Sequence, residues 1–364
     1  MKGRMSSQLD ILALEPFYGG ARKAMLETIM RHSRHRWTLL KLPPRRMERR
    51  LAAAAHWFAE QLSRHWVGRV DLLFASEALN LADLFRLIPE LSQKPSVIYF
   101  HDNQLPPVGA RAESPVHLVN LATAGAASEI WFNSLYHLKN FLQKATSIVS
   151  MNKEMAGRNP LPQLARKAQL MAPPVDLSIT RDLVGNAAIE RDPRMVFIDT
   201  RDADVTFLNK ALLSLTRRGE KVNLVTVGPV DGLDQELARF TIPERDEETQ
   251  IRALHQAGVI VSARPSAAAD HHAVRGLHVG CWPIFPNSGV YPELLPRSMH
   301  GLCLYDGGQT DRLCQQLQNV WWTEQPADYR EELTEILSHF DAIKACHAMD
   351  ERLEQLAVAH SIGN

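Results

Sequence analysis

The residues most able to do chemistry follow an apolar run near the middle of the N-terminal half. Four polar residues come directly after the run 96–100: His101, Asp102, Asn103 and Gln104. Prolines on both sides of this β-branched and aromatic stretch predict a short buried strand. Ligands bind outside the carboxyl ends of such strands in an open parallel sheet. An imidazole, a carboxylate and two amides there can orient and deprotonate a polyhydroxylated substrate. The alternative is that they cap the next helix and bond the loop backbone.

Polar residues also follow two other predicted strands. Glu15 ends the first strand, and the Gly19-Gly20 pair permits close backbone approach at the next helix, whose N-terminus favours anions or sugar hydroxyls. Asn133 and Ser134 follow the fifth strand. Each has a structural explanation, which is a tight turn for the glycines and helix capping for Glu15. Three strand ends with polar residues converging on one cleft nevertheless favour a common binding site.

Strand and helix signals alternate along the chain, which predicts parallel βαβ units with right-handed crossovers. The predicted strands of the first half are 10–14, 37–42, 70–75, 97–101, 129–133 and 167–171. The helices predicted between them are 21–32, 46–64, 79–88, 116–126 and 135–144. Pro173-Pro174 reads as a linker, and a second α/β series follows it. We therefore predict two Rossmann-like, doubly wound domains facing a cleft, residues 1–174 and residues 175–364 with closing C-terminal helices.

The formal net charge of zero hides a local excess of positive charge. Between Arg31 and Arg50 there are eight Lys or Arg residues and one acid, Glu48. Clustered cations attract phosphates through counterion release, which fits a nucleic-acid partner. A solvated helix face explains the same charges equally well. The candidate RNA-binding residues are Arg45, Arg46, Arg49 and Arg50.

Composition favours an ordinary globular protein of more than one domain. The chain has 364 residues, which is longer than one hydrophobic core usually organises. Its 45% hydrophobic and 23% charged residues are typical of a globular protein. No apolar run approaches the roughly 18 residues that span a bilayer. The N-terminus lacks the apolar region of a signal peptide, so we expect a cytoplasmic location. Four widely spaced cysteines without CxxC pairing predict neither a disulfide framework nor a zinc site.

Six segments, in this order, resemble the tRNA-queuosine mannosyltransferase family. They are Ile11-Leu12-Ala13-Leu14-Glu15-Pro16-Phe17-Tyr18-Gly19-Gly20, Trp37-Thr38-Leu39-Leu40-Lys41-Leu42-Pro43, Phe100-His101-Asp102-Asn103-Gln104-Leu105, Phe132-Asn133-Ser134, Gly280-Cys281-Trp282-Pro283-Ile284-Phe285-Pro286 and Tyr291-Pro292-Glu293-Leu294-Leu295-Pro296. Members of that family are GT-B glycosyltransferases similar to retaining, GDP-mannose-using enzymes. The resemblance implies queuosine-containing tRNA as the acceptor and a nucleotide sugar as a substrate, with no resident cofactor. It favours His101 and Asp102 as catalytic residues, and the other residues at the three strand ends as acceptor contacts.

The donor half departs from the family pattern. The resemblance places the family's two glutamates on Ala267 and Arg275 and its lysine on Thr206, whereas Arg201 matches. Each lost charged hydrogen bond costs roughly 1.5–3 kcal/mol, so GDP-mannose should bind weakly. Arg264 and Arg275 are possible replacements because guanidinium forks match phosphate oxygens. The candidate donor-binding residues are Arg201, Arg264, Arg275, Asn287, Tyr291 and Glu293.

Two functions from different classes remain open. The first is transfer of a mannose-like sugar to queuosine in tRNA, which residues 101–104 favour because a chain released from chemistry need not keep them. The second is a catalytically silent relative that binds tRNA or a partner enzyme, which the altered donor loop favours. The adjacent His271 and His272, beside Asp270, point to different faces of a helix, so we predict no metal site.

Overall fold

The protein forms two compact units, each built on a parallel sheet. The computed structural model describes residues 8–65, 68–110, 115–151, 159–179, 190–234, 237, 239–322 and 329–363. The first unit contains Met1–Pro174 and Ala342–Asn364, and the second contains Val175–Asp341. Among the described residues, no helix is both long enough and apolar enough to cross a membrane.

Six parallel strands form the sheet of the first unit, in the order β2-β1-β3-β4-β5-β6. They are β1 (Asp10–Glu15), β2 (Arg36–Lys41), β3 (Leu72–Ser76), β4 (Ser96–Phe100), β5 (Glu129–Phe132) and β6 (Ala168–Leu170). The helices are α1 (Gly20–His32), α2 (Met47–His65), α3 (Leu81–Leu87), α4 (Val119–Ala126), α5 (Leu135–Met151) and α6 (Leu161–Lys167), with 3₁₀ turns at Pro89–Gln93 and Pro115–Leu118. The alternation confirms the predicted doubly wound class. Helix α5 runs past the predicted end at 144 because Ile148 and Val149 continue its buried face.

The strand order of the first sheet reverses between β1 and β3. Strand β2 lies on one side of β1, and the chain then crosses over to form β3 on the other side. The carboxyl ends of β1 and β3 therefore make the switch point at which open sheets bind ligands. Glu15 ends β1, and Glu77 follows β3. Strands β4 and β5 bring His101 and Asn133 to the same edge. Every residue of β4 is buried, as expected for a strand covered on both faces.

The second sheet has the order β12-β11-β10-β7-β8-β9. Its strands are β7 (Asp192–Asp199), β8 (Asn223–Val227), β9 (Arg239–Ile242), β10 (Ala257–Val261), β11 (Trp282–Pro286) and β12 (Leu304–Tyr305). Its helices are α7 (Val205–Arg217), α8 (Glu247–Gln256), α9 (His271–Val279), α10 (Tyr291–Leu294), α11 (Arg297–Cys303), α12 (Thr310–Trp322) and α13 (Arg330–Ser338). The short edge strands β9 and β12 lacked a sequence signal of their own. The switch point lies between β7 and β10, whose ends lead to Arg201 and Arg264.

The C-terminal helix α14 (Ala342–Gly363) packs on the first unit, whereas the sequence analysis assigned it to the second domain. Cys346, Met349 and Leu353 recur at helical spacing and are buried in one apolar cluster with residues of β1 and α1. Asp350 accepts a hydrogen bond from Ser33 Oγ at 2.6 Å. The two residues are 317 positions apart, and no local pattern carries such a pairing.

Candidate functional site

Glu77 connects the polar residues at the carboxyl edge of the first sheet. Its side chain is buried, and its carboxylate accepts the backbone N–H of His101 at 3.2 Å and that of Asp102 at 3.3 Å. On the other side, Asn133 Nδ2 donates to the His101 carbonyl oxygen at 2.9 Å. The structure therefore brings the ends of β3, β4 and β5 together around the turn that carries His101.

Two buried carboxylates share one guanidinium at the switch point of this sheet. Glu15 and Glu77 are each 1% exposed, and Arg22, in the first turn of α1, forms an ion pair with Glu77. Glu15 Oε1 accepts the Phe17 N–H at 2.7 Å and the Ser76 hydroxyl at 3.0 Å. Burial raises the pKa of Glu15 to about 7, although the charge of Arg22 opposes the shift. Glu15 therefore exchanges its proton near neutral pH.

Glu77 and Arg22 are not among the site residues predicted from the sequence. Glu77 follows β3 as directly as His101 follows β4, and this position was the available signal. Arg22 offered no such signal, because a cation in the first turn of a helix is ordinarily solvated. Its pairing with Glu77, 55 residues away, shows its role. Burial also raises the pKa of Glu77, again opposed by Arg22.

His101 and Asp102 present accessible titratable groups at this edge. The Asp102 side chain is exposed, and its Oδ1 accepts the Asn103 N–H at 2.7 Å, which shapes the turn. The His101 ring is half-buried, with its centroid 4.8 Å from that of Tyr99. A substrate hydroxyl placed over the edge can therefore meet an imidazole and a carboxylate from adjacent residues.

Asn103 and Gln104 tie the same loop to neighbouring helices. The Asn103 side chain is buried, and its Nδ2 donates to Asn140 Oδ1 at 3.3 Å. Lys144 Nζ donates to Asn103 Oδ1 at 3.1 Å. The Gln104 N–H donates to Asn120 Oδ1 at 2.6 Å, while its side chain stays partly exposed. Asn103, expected to contact an acceptor, thus supports the loop.

Asn133 and Ser134 are buried at the start of α5 and also support the site. Ser134 Oγ accepts the His137 N–H at 3.1 Å, which caps the helix. Asn133 Oδ1 lies 2.9 Å from His137 Nδ1. Burial lowers the pKa of His137 to about 3, so the ring is neutral and donates from Nδ1 to Asn133. Both residues therefore fix the turn of His101 from behind, rather than contacting an acceptor directly.

Gly19 and Gly20 bring helix α1 against the chain that follows β2. A Cβ at Gly19 would lie 2.5 Å from Pro44 Cγ, and Gly20 has a φ of +53°, which favours glycine. The Tyr18 N–H donates to the Leu42 carbonyl oxygen at 2.9 Å. The glycines thus serve a close approach of two chain segments, and that approach places residues 43–50 beside the switch point.

Residues 43–50, which we call the basic loop although 47–50 form the first turn of α2, expose most of their positive charge. Arg45, Arg46 and Arg49 are exposed, and in the described part of the chain no ion pair joins them to a carboxylate. Arg50 folds back and donates from Nη2 to the Pro43 carbonyl oxygen at 3.0 Å. Other arginines of the same basic stretch do pair with carboxylates. The basic loop is therefore the part of this stretch best able to meet phosphates.

Asp199 forms an ion pair with the guanidinium of Arg201 at the switch point of the second sheet. Its Oδ1 accepts the Arg201 N–H at 3.0 Å and Nε at 2.9 Å, and its Oδ2 accepts Nη2 at 2.7 Å. His272 Nδ1 lies 3.0 Å from Oδ2. Burial opposes ionisation of Asp199, but the hydrogen bonds from Arg201 and His272 hold its pKa well below its usual range. Arg201 is thus already engaged by a permanent anion.

Arg264, which follows β10, faces three carboxylates at longer range. Its Nη1 lies 3.6 Å from Asp270 Oδ2 and 3.9 Å from Asp199 Oδ2, and its Nη2 lies 4.0 Å from Asp202 Oδ2. The buried Nε has no hydrogen-bond partner among the described residues. The side chain is 20% exposed. Arg264 is therefore less tightly held than Arg201.

Tyr291 supports the loops of this edge and is not available to a donor. It is 0% exposed, and its hydroxyl donates to Asp270 Oδ2 at 2.8 Å and lies 2.5 Å from Ser262 Oγ. The Val290 N–H donates to the carbonyl oxygen of Ala267 at 2.9 Å. The side chain of Tyr291 does not contact a donor as predicted, because its ring is enclosed by the loop of residues 262–270 and the chain around Val290.

Of the other predicted donor residues, Arg275 is paired with a carboxylate, and Asn287 and Glu293 are exposed. Arg275 Nη2 pairs with Glu247 Oε1 at 2.6 Å, which anchors α9 to α8. Asn287 is exposed, and its Nδ2 donates to Asp306 Oδ1 at 3.0 Å. Glu293 is exposed on α10. Asn287 and Glu293 stay accessible, whereas the Arg275 guanidinium is already paired.

Comparison with known proteins matches the first half of the chain to a family model and most of the chain to a relative. Residues 10–175, which hold the whole first sheet, match the family model described as tRNA-queuosine alpha-mannosyltransferase N-terminal. A protein of Drosophila melanogaster named tRNA-queuosine alpha-mannosyltransferase is 26% identical over 317 residues, which cover 79% of this chain and 82% of the relative.

Solved structures match both units together at low sequence identity. The N-terminal domain of trehalose-6-phosphate phosphatase from Candida albicans matches with a TM-score of 0.71 at 9% identity, covering 99% of each chain. Trehalose-6-phosphate synthase OtsA gives 0.67 at 9% identity, covering 96% of this chain and 99% of the other. Anabaena HepE, solved with UDP-glucose, gives 0.64 at 14% identity, covering 96% and 100%. These likenesses establish the GT-B fold. Over residues 10–175 the chain is similar to the N-terminal domain of the tRNA-queuosine alpha-mannosyltransferase family, and the Drosophila relative extends that similarity over most of the chain.

Proposed function

We propose that this protein transfers a mannose-like sugar from a nucleotide sugar to queuosine in tRNA. The observation that carries the proposal is the family match over residues 10–175, because these residues build the sheet edge that presents His101 and Asp102. The Drosophila relative, whose name states this activity, supports the same assignment. The reaction requires the nucleotide sugar as a substrate and no resident cofactor.

The acceptor edge has the groups that such a transfer needs. An acceptor hydroxyl oxygen bonds to C1 of the sugar, the bond from C1 to the diphosphate oxygen breaks, and the hydroxyl proton must leave. An imidazole can orient that hydroxyl or accept its proton, which is the role we give to His101. Asp102 can accept a hydrogen bond from a neighbouring hydroxyl. Glu77 keeps both in place through their backbone N–H groups.

The basic loop suits the phosphates of a tRNA acceptor. It lies beside the Gly19 turn, so an RNA backbone bound there would run past the switch point of the first sheet. The exposed guanidiniums of Arg45, Arg46 and Arg49 can release counterions on binding phosphates. On the donor side we propose contacts from Arg264, Asn287 and Glu293, with Arg201 added once Asp199 releases it.

The decisive test is a transfer assay on defined tRNA. Purified protein is incubated with queuosine-containing tRNA and each of a panel of GDP- and UDP-sugars, and the nucleosides are analysed by mass spectrometry. We expect a gain of one hexose on queuosine with at least one donor. The matched control is the same tRNA with guanosine in place of queuosine, which should gain nothing. Binding of the queuosine tRNA without transfer from any donor would refute the enzyme and favour a silent tRNA-binding relative.

A further inference from the structure

We propose that Asp199 is an internal counter-anion that holds the Arg201 guanidinium and thereby limits how tightly the second unit binds a nucleoside diphosphate. The inference rests on the proposed function in one respect, which is that the donor carries a diphosphate. It identifies Asp199 as a residue that sets donor affinity. In this part of the chain the family resemblance pointed to Arg201 alone.

The geometry of the pair is that of a guanidinium bound to an anion. Arg201 uses Nε and Nη2 on the two oxygens of Asp199, at 2.9 and 2.7 Å. The same two-pronged fork is what an arginine presents to a phosphate. The Asp199 side chain is 6% exposed, so water does not compete effectively for its oxygens. The Nη1 edge of Arg201 makes neither of these bonds, but a diphosphate can take the Nε–Nη2 fork only by displacing Asp199.

The surrounding charges make that displacement unfavourable. Three carboxylates, those of Asp199, Asp202 and Asp270, surround two guanidiniums, those of Arg201 and Arg264. An incoming diphosphate adds negative charge beside these three carboxylates. Arg264 makes no hydrogen bond to these carboxylates within the described ranges, so a diphosphate can bind it without breaking such a bond.

Calorimetric titration with GDP, UDP and inorganic pyrophosphate tests the proposal directly. Asp199→Asn keeps the shape of the side chain and frees the fork, so affinity should rise about tenfold or more, the value of one charged hydrogen bond. Asp202→Asn is the matched control, because it removes the same charge from an exposed side chain without freeing Arg201. That control should raise affinity by less than about threefold, as for a screened surface charge.

A second comparison isolates Arg201. In the wild-type chain, Arg201→Ala should lower diphosphate affinity by less than about threefold, as for a screened charge, whereas Arg264→Ala should lower it further. In the Asp199→Asn background, Arg201→Ala should abolish the gain, since the gain depends on the released fork. Thermal melting of each variant confirms that it is folded, and the wild-type Arg201→Ala arm needs no change at Asp199.

Three results would overturn the proposal. They are equal affinity of the Asp199→Asn and wild-type chains, equal gains from Asp199→Asn and Asp202→Asn, and a loss of about tenfold or more from Arg201→Ala in the wild-type chain. The titrations contain no tRNA and require no turnover. A failed transfer assay would therefore sink the proposed function and leave this result intact, and the converse also holds.

Discussion

Replacing Glu15 by Gln should remove a large part of the pH dependence of folding in the first unit. The carboxylate is 1% exposed, and both of its hydrogen bonds, from the Phe17 N–H and the Ser76 hydroxyl, go to Oε1. An amide oxygen can keep both bonds while Nε2 takes the place of Oε2. The substitution therefore changes the charge of the side chain and preserves its shape.

The magnitude follows from the pKa of Glu15. Burial raises that pKa from an ordinary value of 4.5 to about 7, with Arg22 opposing the shift. Between these two values the folded chain holds a proton that the unfolded chain has released, so stability falls as the pH rises. The stabilisation is fully present below pH 4.5 and is lost as the pH passes 7. A shift of this size corresponds to about 3 kcal/mol of unfolding free energy.

Urea unfolding of the wild-type and Glu15→Gln chains, at several values from about pH 5 to about pH 8, measures the effect. The unfolding free energy of the variant should gain roughly 2–3 kcal/mol on that of the wild type across this range. Titrating groups that both chains share largely cancel in the difference. Parallel pH profiles would refute the reasoning, because Glu15 would then have kept one protonation state throughout.

Three further predictions concern the acceptor side. His101→Ala should lower transfer by roughly 10²-fold or more with an unchanged melting temperature, and full activity would assign the residue to the loop alone. Glu77→Gln should destabilise the chain by about 3 kcal/mol, because it removes the carboxylate that pairs with Arg22. It should also lower transfer by more than the loss of folded protein explains. Unchanged unfolding curves would contradict the pairing. Reversing the four arginines of the basic loop should weaken tRNA binding and flatten its salt dependence in filter-binding titrations, whereas reversing Arg252, which is paired with Glu248, should not. An unchanged salt slope would make the basic loop a solvated surface.

Local patterns in the sequence were enough to determine the two α/β units and the sheet edge at which His101 lies. The run before His101 is apolar at every position because both faces of β4 are covered, and such runs are visible without any partner. The carboxyl ends of parallel strands meet at one edge, so strand positions alone placed Glu15, His101 and Asn133 close together. The resemblance of these motifs to a known family then predicted a function for that edge.

Tertiary structure alone decided which of these groups face outward and which are already paired. Glu77 acquires its role from Arg22 and from the turn of His101, and Arg201 loses its free charge to Asp199 two residues earlier. Helix α14 joins the first unit through contacts more than 300 residues apart in the chain. The physical reason is the same in each case. Periodicity reports which side of an element is buried, but a hydrogen bond or ion pair depends on the exact approach of two side chains, and packing sets that approach.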